Sequence, residues 1–266
     1  MTANCILERV AETQSTNNDL LERWRAGELI DPVARIAHKQ TAGKGRAGRT
    51  WLAHPEDSIC FSLAYPFTRK PGELSGLSLL VGLAVIAGIA QACDLSEVTL
   101  HQAGLRLKWP NDLLLNNAKL GGILIEGGQA KSTDPTWMII GIGMNLRNAN
   151  AIETSLGNQP ELKIGALDQL LSPQSRLPDM EYLWLKLIAS LEHHLSEFNQ
   201  HGFEQHQAQW KKWDAYLGQI VCISGAGKEP ICGIAQGIDN AGALLLQQDN
   251  KTIAIHAGDV SLRIQS

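Results

Sequence analysis

The sequence predicts an α+β protein in two parts, a large unit of strands and helices over residues 1–216 and a small all-strand unit over residues 217–266. Three observations lead there. A chain of 266 residues, 44% hydrophobic and 19% charged, can bury one large core and still supply a small appendage. The apolar run Leu74–Ala92 is of helix length and carries glycines, serines and Gln91, so it reads as a core helix rather than a membrane span. From Gly218 onward the helical periodicity stops, and short strands alternate with Gly, Asn and Asp turns.

Taken in order, Cys5–Val10 is a short apolar strand, and Thr13-Gln-Ser-Thr-Asn-Asn-Asp opens an N-capped helix that ends near Gly27. Ser15, Thr16 and Asn17 therefore sit at a helix entrance, where they serve either as caps or as hydrogen-bond partners of a small polar ligand. Val33–His38 is the next strand, with Gln40 at its exit, and Ile59–Tyr65 is the third. Leu105, Leu107 and Trp109 alternate as a half-buried strand that Pro110 ends, leaving Lys108, Asn111 and Asp112 clustered at its tip. Asp112–Glu126 reads as a hairpin turning at Asn116-Asn117. Lys119 follows the turn, beside Gly121 and Gly122, which permit close approach of a ligand. Trp137–Leu146 pairs beside this hairpin, and Met180–Phe198 and Phe203–Tyr216 are helical. The small unit holds strands at Gln219–Ser224, Pro230–Gly237, Ala243–Gln248, Thr252–His256 and Val260–Ile264. Turns at Gly225-Ala-Gly, Asp239-Asn-Ala-Gly and His256-Ala-Gly-Asp separate them into a small barrel.

Between the second and third strands runs Lys39-Gln-Thr-Ala-Gly-Lys-Gly-Arg-Ala-Gly-Arg-Thr-Trp51, where Gly43, Gly45 and Gly48 alternate with Lys44, Arg46 and Arg49. Ordering such a segment costs about 1–2 kcal/mol per residue, and its cations repel one another. Charge-assisted hydrogen bonds to an anion, about 1.5–3 kcal/mol each, offset that cost, so the segment reads as a loop that closes over a phosphate. It is neither a dinucleotide fingerprint nor a P-loop, since both need a helix directly after the glycines. Pro55 and the strand at Ile59 follow instead.

Net charge of −4 gives no general reason to expect nucleic-acid or membrane binding. Five cysteines without a Cys-x-x-Cys pair read as reduced thiols of a cytoplasmic protein. The eight histidines lack zinc-ligand spacing, and the opening Met-Thr-Ala-Asn-Cys lacks a signal-peptide pattern.

Several segments, in their joint order and spacing, resemble the biotin protein ligases. These are Ser15-Thr16-Asn17, Gln40, Gly43-Lys-Gly-Arg-Ala-Gly-Arg49 with Trp51, Lys108-Trp-Pro-Asn-Asp112, Lys119-Leu-Gly-Gly-Ile-Leu and Gly141-Ile-Gly-Met-Asn145, and the likeness continues through Gly258-Asp-Val-Ser-Leu-Arg263. The resemblance implies a mixed, mostly antiparallel sheet backed by helices, class II synthetase-like, with a small C-terminal SH3-like β-barrel. It implies a reaction in two halves: biotin and Mg2+-ATP give biotinyl-5′-AMP and pyrophosphate, then a carrier lysine attacks the mixed anhydride. By the same resemblance Ser15, Thr16, Gln40 and Gly43 bind biotin, with Asn17 in support. Lys119, Lys44 and Arg46 bring the biotin carboxylate and the α-phosphate together, Lys119 bridging them. Gly45, Trp51, Asn111 and Asn145 join Lys44 and Arg46 at the nucleotide, and Asp112 either holds magnesium or orients Lys119.

The implied partner is a biotin carboxyl carrier protein domain, that of acetyl-CoA carboxylase, and the resemblance also implies a homodimer through the main sheet. The family's loop usually has arginine where Lys44 stands, so a planar fork gives way to a point charge. Some relatives open with a helix-turn-helix domain and act as repressors; this sequence opens almost at once with the ligase strand, and operator DNA binding is not expected. The carrier lysine has a free pKa of about 10.4 and must lose a proton. No histidine is well placed for that, which leaves a carboxylate, water or a phosphate oxygen. Two rival readings share part of the pattern: a lipoate ligase or octanoyltransferase, and a biotin-binding regulator without turnover.

Overall fold

One parallel strand pair starts the main sheet. Strands β1 (Ile6–Thr13) and β2 (Val33–Gln40) run side by side in the same direction, joined by helix α1 (Thr16–Arg25). The computed structural model describes residues 4–155, 163–172, 174–225, 228–249, 251–256 and 260–264. Every other pair in the sheet is antiparallel. β3 (Ser58–Phe67), β4 (Leu105–Lys108), β5 (Asp112–Leu115), β6 (Ala118–Gly128) and β7 (Thr136–Asn145) complete the order β1-β2-β3-β7-β6-β5-β4. The hairpin at Asn116-Asn117 forms as its residues dictate, both asparagines taking positive φ (49° and 65°).

Helices cover both faces of the sheet. On one face α1 packs Leu20 and Leu21 against Val33, Ala64, Trp137 and Ile139. On the other lies α2 (Leu77–Cys93), apolar on all sides and therefore buried under a second layer. After it come α3 (Glu97–Gln102), α4 (Ala149–Ser155), the long α5 (Met180–His201) and α6 (Gln207–Trp213). α5 supplies that outer layer. Gly88 of α2 lets Leu187 approach so closely that a Cβ there would lie 2.9 Å from Leu187 Cδ2, and Ser190 Oγ donates to Ala84 O at 2.8 Å. The short helices α3 and α4 were not anticipated from the sequence.

The second sheet comprises β8 (Ile220–Gly225), β9 (Lys228–Ile238), β10 (Leu244–Gln248), β11 (Lys251–Ile255) and β12 (Val260–Ile264), all antiparallel, in the order β11-β10-β9-β8-β12. Its inward residues Val221, Ile223, Ala235, Ile238, Leu244, Leu246 and Leu262 belong to the same continuous core as α2 and α5. Trp109 Nε1 donates to Gly242 O at 3.1 Å and Gln207 Nε2 to Ile238 O at 2.6 Å, pinning the two sheets together. The turns expected at Gly225-Ala-Gly and His256-Ala-Gly-Asp, and the segment Gly258-Asp, fall wholly or partly outside the described residues.

One expectation is corrected. Cys222 and Cys232 form a disulfide, so the five cysteines are not all reduced thiols. They are ten residues apart in sequence, but the β8–β9 register sets them opposite each other with Cα atoms 4.0 Å apart. Spacing along the chain does not report distance across an antiparallel pair. Cys5, Cys60 and Cys93 remain thiols.

Candidate active site

A cleft of about 1560 Å³ opens over the main sheet, walled by the glycine loop, by β3, β6 and β7, and by the edge of the second sheet at Ser224, Leu262, Arg263 and Ile264. It gathers Ser15, Thr16, Asn17, Gln40, Lys44, Gly45, Arg46, Trp51, Asn111, Asp112, Lys119 and Asn145 from six separate stretches of sequence. Gly43, also singled out from the sequence, does not line it. That glycine instead lets the loop close: its carbonyl accepts from the Trp51 N–H at 2.9 Å, and a Cβ there would lie 2.5 Å from Trp51 O.

The loop is folded on itself. Lys44 and Thr50 form an antiparallel bridge, Gly45 N–H donates to Arg49 O at 2.7 Å, and Ala47 and Gly48 at the tip both have positive φ (53° and 71°). This is a turn that needs left-handed backbone at both central residues, which explains Gly48 and makes Ala47 the strained position. Two of the loop's cations are held by neighbours. Lys44 Nζ donates to Asn18 Oδ1 at 2.9 Å, in the first turn of α1, and Arg46 Nη1 donates to Asn111 Oδ1 at 3.0 Å.

Lys119 lines the same cleft. Its backbone is fixed by bonds to Lys163 O and from Gly165 N, and its ammonium meets Asp112 Oδ1 at 2.8 Å and stands over the Trp51 ring at 5.7 Å. Lys108 lies close by. Burial pushes its ammonium below the usual lysine range, Asp112 opposes that shift, and Lys119, Arg263 and Arg49 add to it. An anion bound among these groups would relieve their mutual repulsion. Among the described residues no group of three or more His, Cys, Asp or Glu side chains converges as a metal cage. Asp112, already paired with Lys119, fits at most a single carboxylate ligand to an ion that arrives with its own phosphates and waters.

The Trp51 indole packs against Gly143, where a Cβ would be 2.5 Å from Trp51 Cε2. Asn145 Nδ2 donates to Lys119 O at 3.3 Å and Gly165 O at 3.2 Å, while its buried Oδ1 has no partner; the Trp51 indole N–H has the Cys60 thiol as its neighbour. Asn145 Oδ1 is thus an acceptor available to a ligand.

Beside Gln40, the helix-entrance residues divide their labour. Ser15 caps α1, accepting from Asn18 N–H, whereas Thr16 and Asn17 turn into a buried polar chain. Gln40 Oε1 accepts from Thr16 N at 2.8 Å, Thr16 Oγ1 touches Ser62 Oγ at 2.7 Å, Ser62 donates to Asn17 Oδ1 at 2.6 Å, and Asn17 Nδ2 donates to Glu126 Oε2 at 3.0 Å. Asn17 fits because Gly141 has no side chain; a Cβ there would overlap its Oδ1. Cys60 lies between Gln40 and Trp51, and burial pushes its thiol up to about 12. Sequence reading missed Cys60, Ser62 and Glu126. Ser62 shows as a polar residue in an apolar strand, and period-two alternation sets Glu126 on the same face of β6 as Leu124.

Comparison with known proteins returns one pattern. Residues 9–145 match the biotin/lipoate A/B protein ligase family, and residues 216–263 match the biotin protein ligase C terminal domain. The chain is 35% identical over 249 residues to the bifunctional ligase/repressor BirA of Salmonella typhimurium, spanning 94% of this chain and 72% of that one. It is 33% identical over 255 residues to the biotin--[acetyl-CoA-carboxylase] ligase of Mycobacterium tuberculosis, spanning 96% and 88%. A solved structure of biotin protein ligase from Aquifex aeolicus in complex with biotin and ATP superposes with a TM-score of 0.75 at 25% identity, covering 98% of this chain and 99% of that one.

Proposed function

Because the chain belongs to the biotin/lipoate A/B protein ligase family, we propose that it activates biotin with ATP and transfers it to a lysine of a biotin carrier protein. The observation that carries this reading is the place of Lys119. Its ammonium, paired with Asp112 and standing over the Trp51 ring, shares one cleft with the polar side chains of Thr16, Asn17 and Gln40.

The first half-reaction joins two anions. The biotin carboxylate attacks the α-phosphorus of Mg2+-ATP, the P–O bond to the β-phosphate breaks, and pyrophosphate leaves with the electron pair. Lys119 offsets the charge on both carboxylate and α-phosphate as it grows in the transition state, and its preset position avoids reorganisation cost. Lys44 and Arg46 cover the phosphates from the loop, with Lys44 held by Asn18 and Arg46 by Asn111. Asp112 orients Lys119; that role uses the contact it makes. Trp51 packs on the adenine, and Asn145 Oδ1 accepts from its amino group. In the second half the carrier lysine's neutral amine attacks the acyl carbon, an amide forms, and AMP departs.

The polar chain at Thr16, Gln40 and Ser62 supports biotin over lipoate, since it can hydrogen-bond a ureido ring, whereas a dithiolane ring offers it neither a strong donor nor a strong acceptor. The carrier is read as a biotin carboxyl carrier domain. A homodimer through the main sheet and a cytoplasmic location, where ATP is supplied, belong to the same reading; no helix among the described residues is long and apolar enough to cross a membrane. The test is biotin-dependent exchange of labelled pyrophosphate into ATP. Exchange with biotin but not lipoate, lost by at least about a hundredfold in Lys119→Ala, is expected. Exchange with lipoate would move the chain to the sister activity, and tight biotin binding without exchange would make it a sensor.

A further inference from the structure

The polar chain beneath Thr16 has a direction, and we propose that Glu126 sets it, as a positioning residue for ureido recognition. Asn17 Nδ2 lies 3.0 Å from Glu126 Oε2 and 3.5 Å from Leu124 O. Carboxylate and carbonyl oxygens only accept, so the amide nitrogen must face them and Oδ1 must face away. Ser62, 2.6 Å from that Oδ1, donates its single proton there. With the Ser62 proton spent, the 2.7 Å contact between Thr16 Oγ1 and Ser62 Oγ takes the proton of Thr16, for which Gln40 Oε1 at 3.1 Å is a second acceptor. Gln40 Oε1 is occupied by Thr16 N–H at 2.8 Å.

With these protons assigned, Thr16 keeps only lone pairs and Gln40 keeps only its amide N–H groups to offer, and both residues line the cleft. An acceptor beside a donor is the complement of a urea, which presents N–H beside C=O. Thr16, Asn17 and Ser62 are 2%, 4% and 1% exposed, so water does not scramble the order. Glu126 does not line the cleft; it acts through the chain.

This rests on the biotin reading and adds that preference for the ureido pattern is imposed from a distance by one carboxylate. The test is calorimetric titration of the full chain with biotin and with the two cyclic carbamate analogues in which oxygen replaces one ureido N–H. The wild type should reject at least one analogue, because ring oxygen would face the lone pairs of Thr16. In Glu126→Gln the amide can donate as well as accept, the chain can reverse, and Ser62 then donates to Thr16, taking up a lone pair the ligand would use and leaving the Thr16 proton to Gln40 Oε1 or the ligand. Biotin affinity should fall about tenfold, consistent with loss of one charge-assisted bond, and discrimination against the rejected analogue should narrow. Exchange rate at saturating biotin and Tm should be kept, and Glu126→Asp should restore part of the preference. Unchanged affinity and discrimination in Glu126→Gln, or an equal loss for every ligand together with a lower Tm, would overturn the proposal. A wild type that binds biotin in none of these titrations would overturn the biotin reading itself.

Discussion

Gly141 and Gly143 stand two apart on β7, so both face the cleft, and each makes room for a different functional side chain. A methyl at 143 would press on the Trp51 indole, whereas a methyl at 141 would displace Asn17 from Ser62 and Glu126. Overpacking of this kind costs about 1–3 kcal/mol. Steady-state kinetics should therefore split the pair: Gly143→Ala should raise KM for ATP by about tenfold or more and leave biotin nearly untouched, and Gly141→Ala should do the reverse. Parallel effects on both substrates would mean that the two ends of the cleft are not separately built. At this scale the sequence was informative about which residues gather and poor about why. Lys119, Gln40 and Asn145 were legible as chemistry-bearing types in a recognisable order, but what a glycine leaves space for depends on a strand it meets only after folding. Ser62 and Glu126 were missed because a lone polar residue in an apolar strand carries no sign of its partners.

The segment from α6 into β8 shows what one carboxyl does to an element. Asp214 ends α6, its Oδ1 accepts Tyr216 N–H at 2.9 Å, and its buried Oδ2 has no partner. Burial pushes this carboxyl up to about 6, against two backbone bonds that pull it down. A carboxyl whose folded value is raised above its unfolded one lends stability that is complete below the ordinary carboxyl range and is lost as pH rises through about 6. Asp214→Asn keeps the acceptor and removes the charge. Thermal melts should show the variant gaining on the wild type between about pH 4.5 and 8, by roughly 1–2 kcal/mol, in the sense that linkage requires. A constant difference across that range would remove Asp214 from the account. The long elements were legible here too, since alternation and helical period report burial directly. The six-residue α3 and seven-residue α4 span too few turns for any period to show, and the Cys222–Cys232 pair was hidden because register across strands is not written in spacing along them.

Among the described residues the second sheet shares the large core of the first unit, while α1 and α4 each pack into a smaller cluster. A texture change at Gly218 marks a change of secondary structure, yet the inward face of the second sheet is buried against the first unit rather than on itself. Trp109, 1% exposed, is covered partly by the chain at Gly242, and Leu79 packs beside the same glycine. Uncovering each large apolar side chain costs about 1.5–3 kcal/mol, while a domain's net stability is only about 5–15 kcal/mol. Removing residues 217–266 should therefore unfold the remainder, not leave an adenylating fragment that merely fails to reach its carrier. The intact chain should melt in a single transition, with tryptophan fluorescence and far-ultraviolet circular dichroism superimposing, because Trp109, Trp184, Trp210 and Trp213 share that core with the second sheet. Two separated transitions, or a soluble 1–216 fragment that still exchanges pyrophosphate, would show that the second sheet is dispensable to the first. The expected coupling also bears on catalysis. Arg263 and Ser224 reach the cleft from the second sheet, so its wall is complete only when both sheets fold as one.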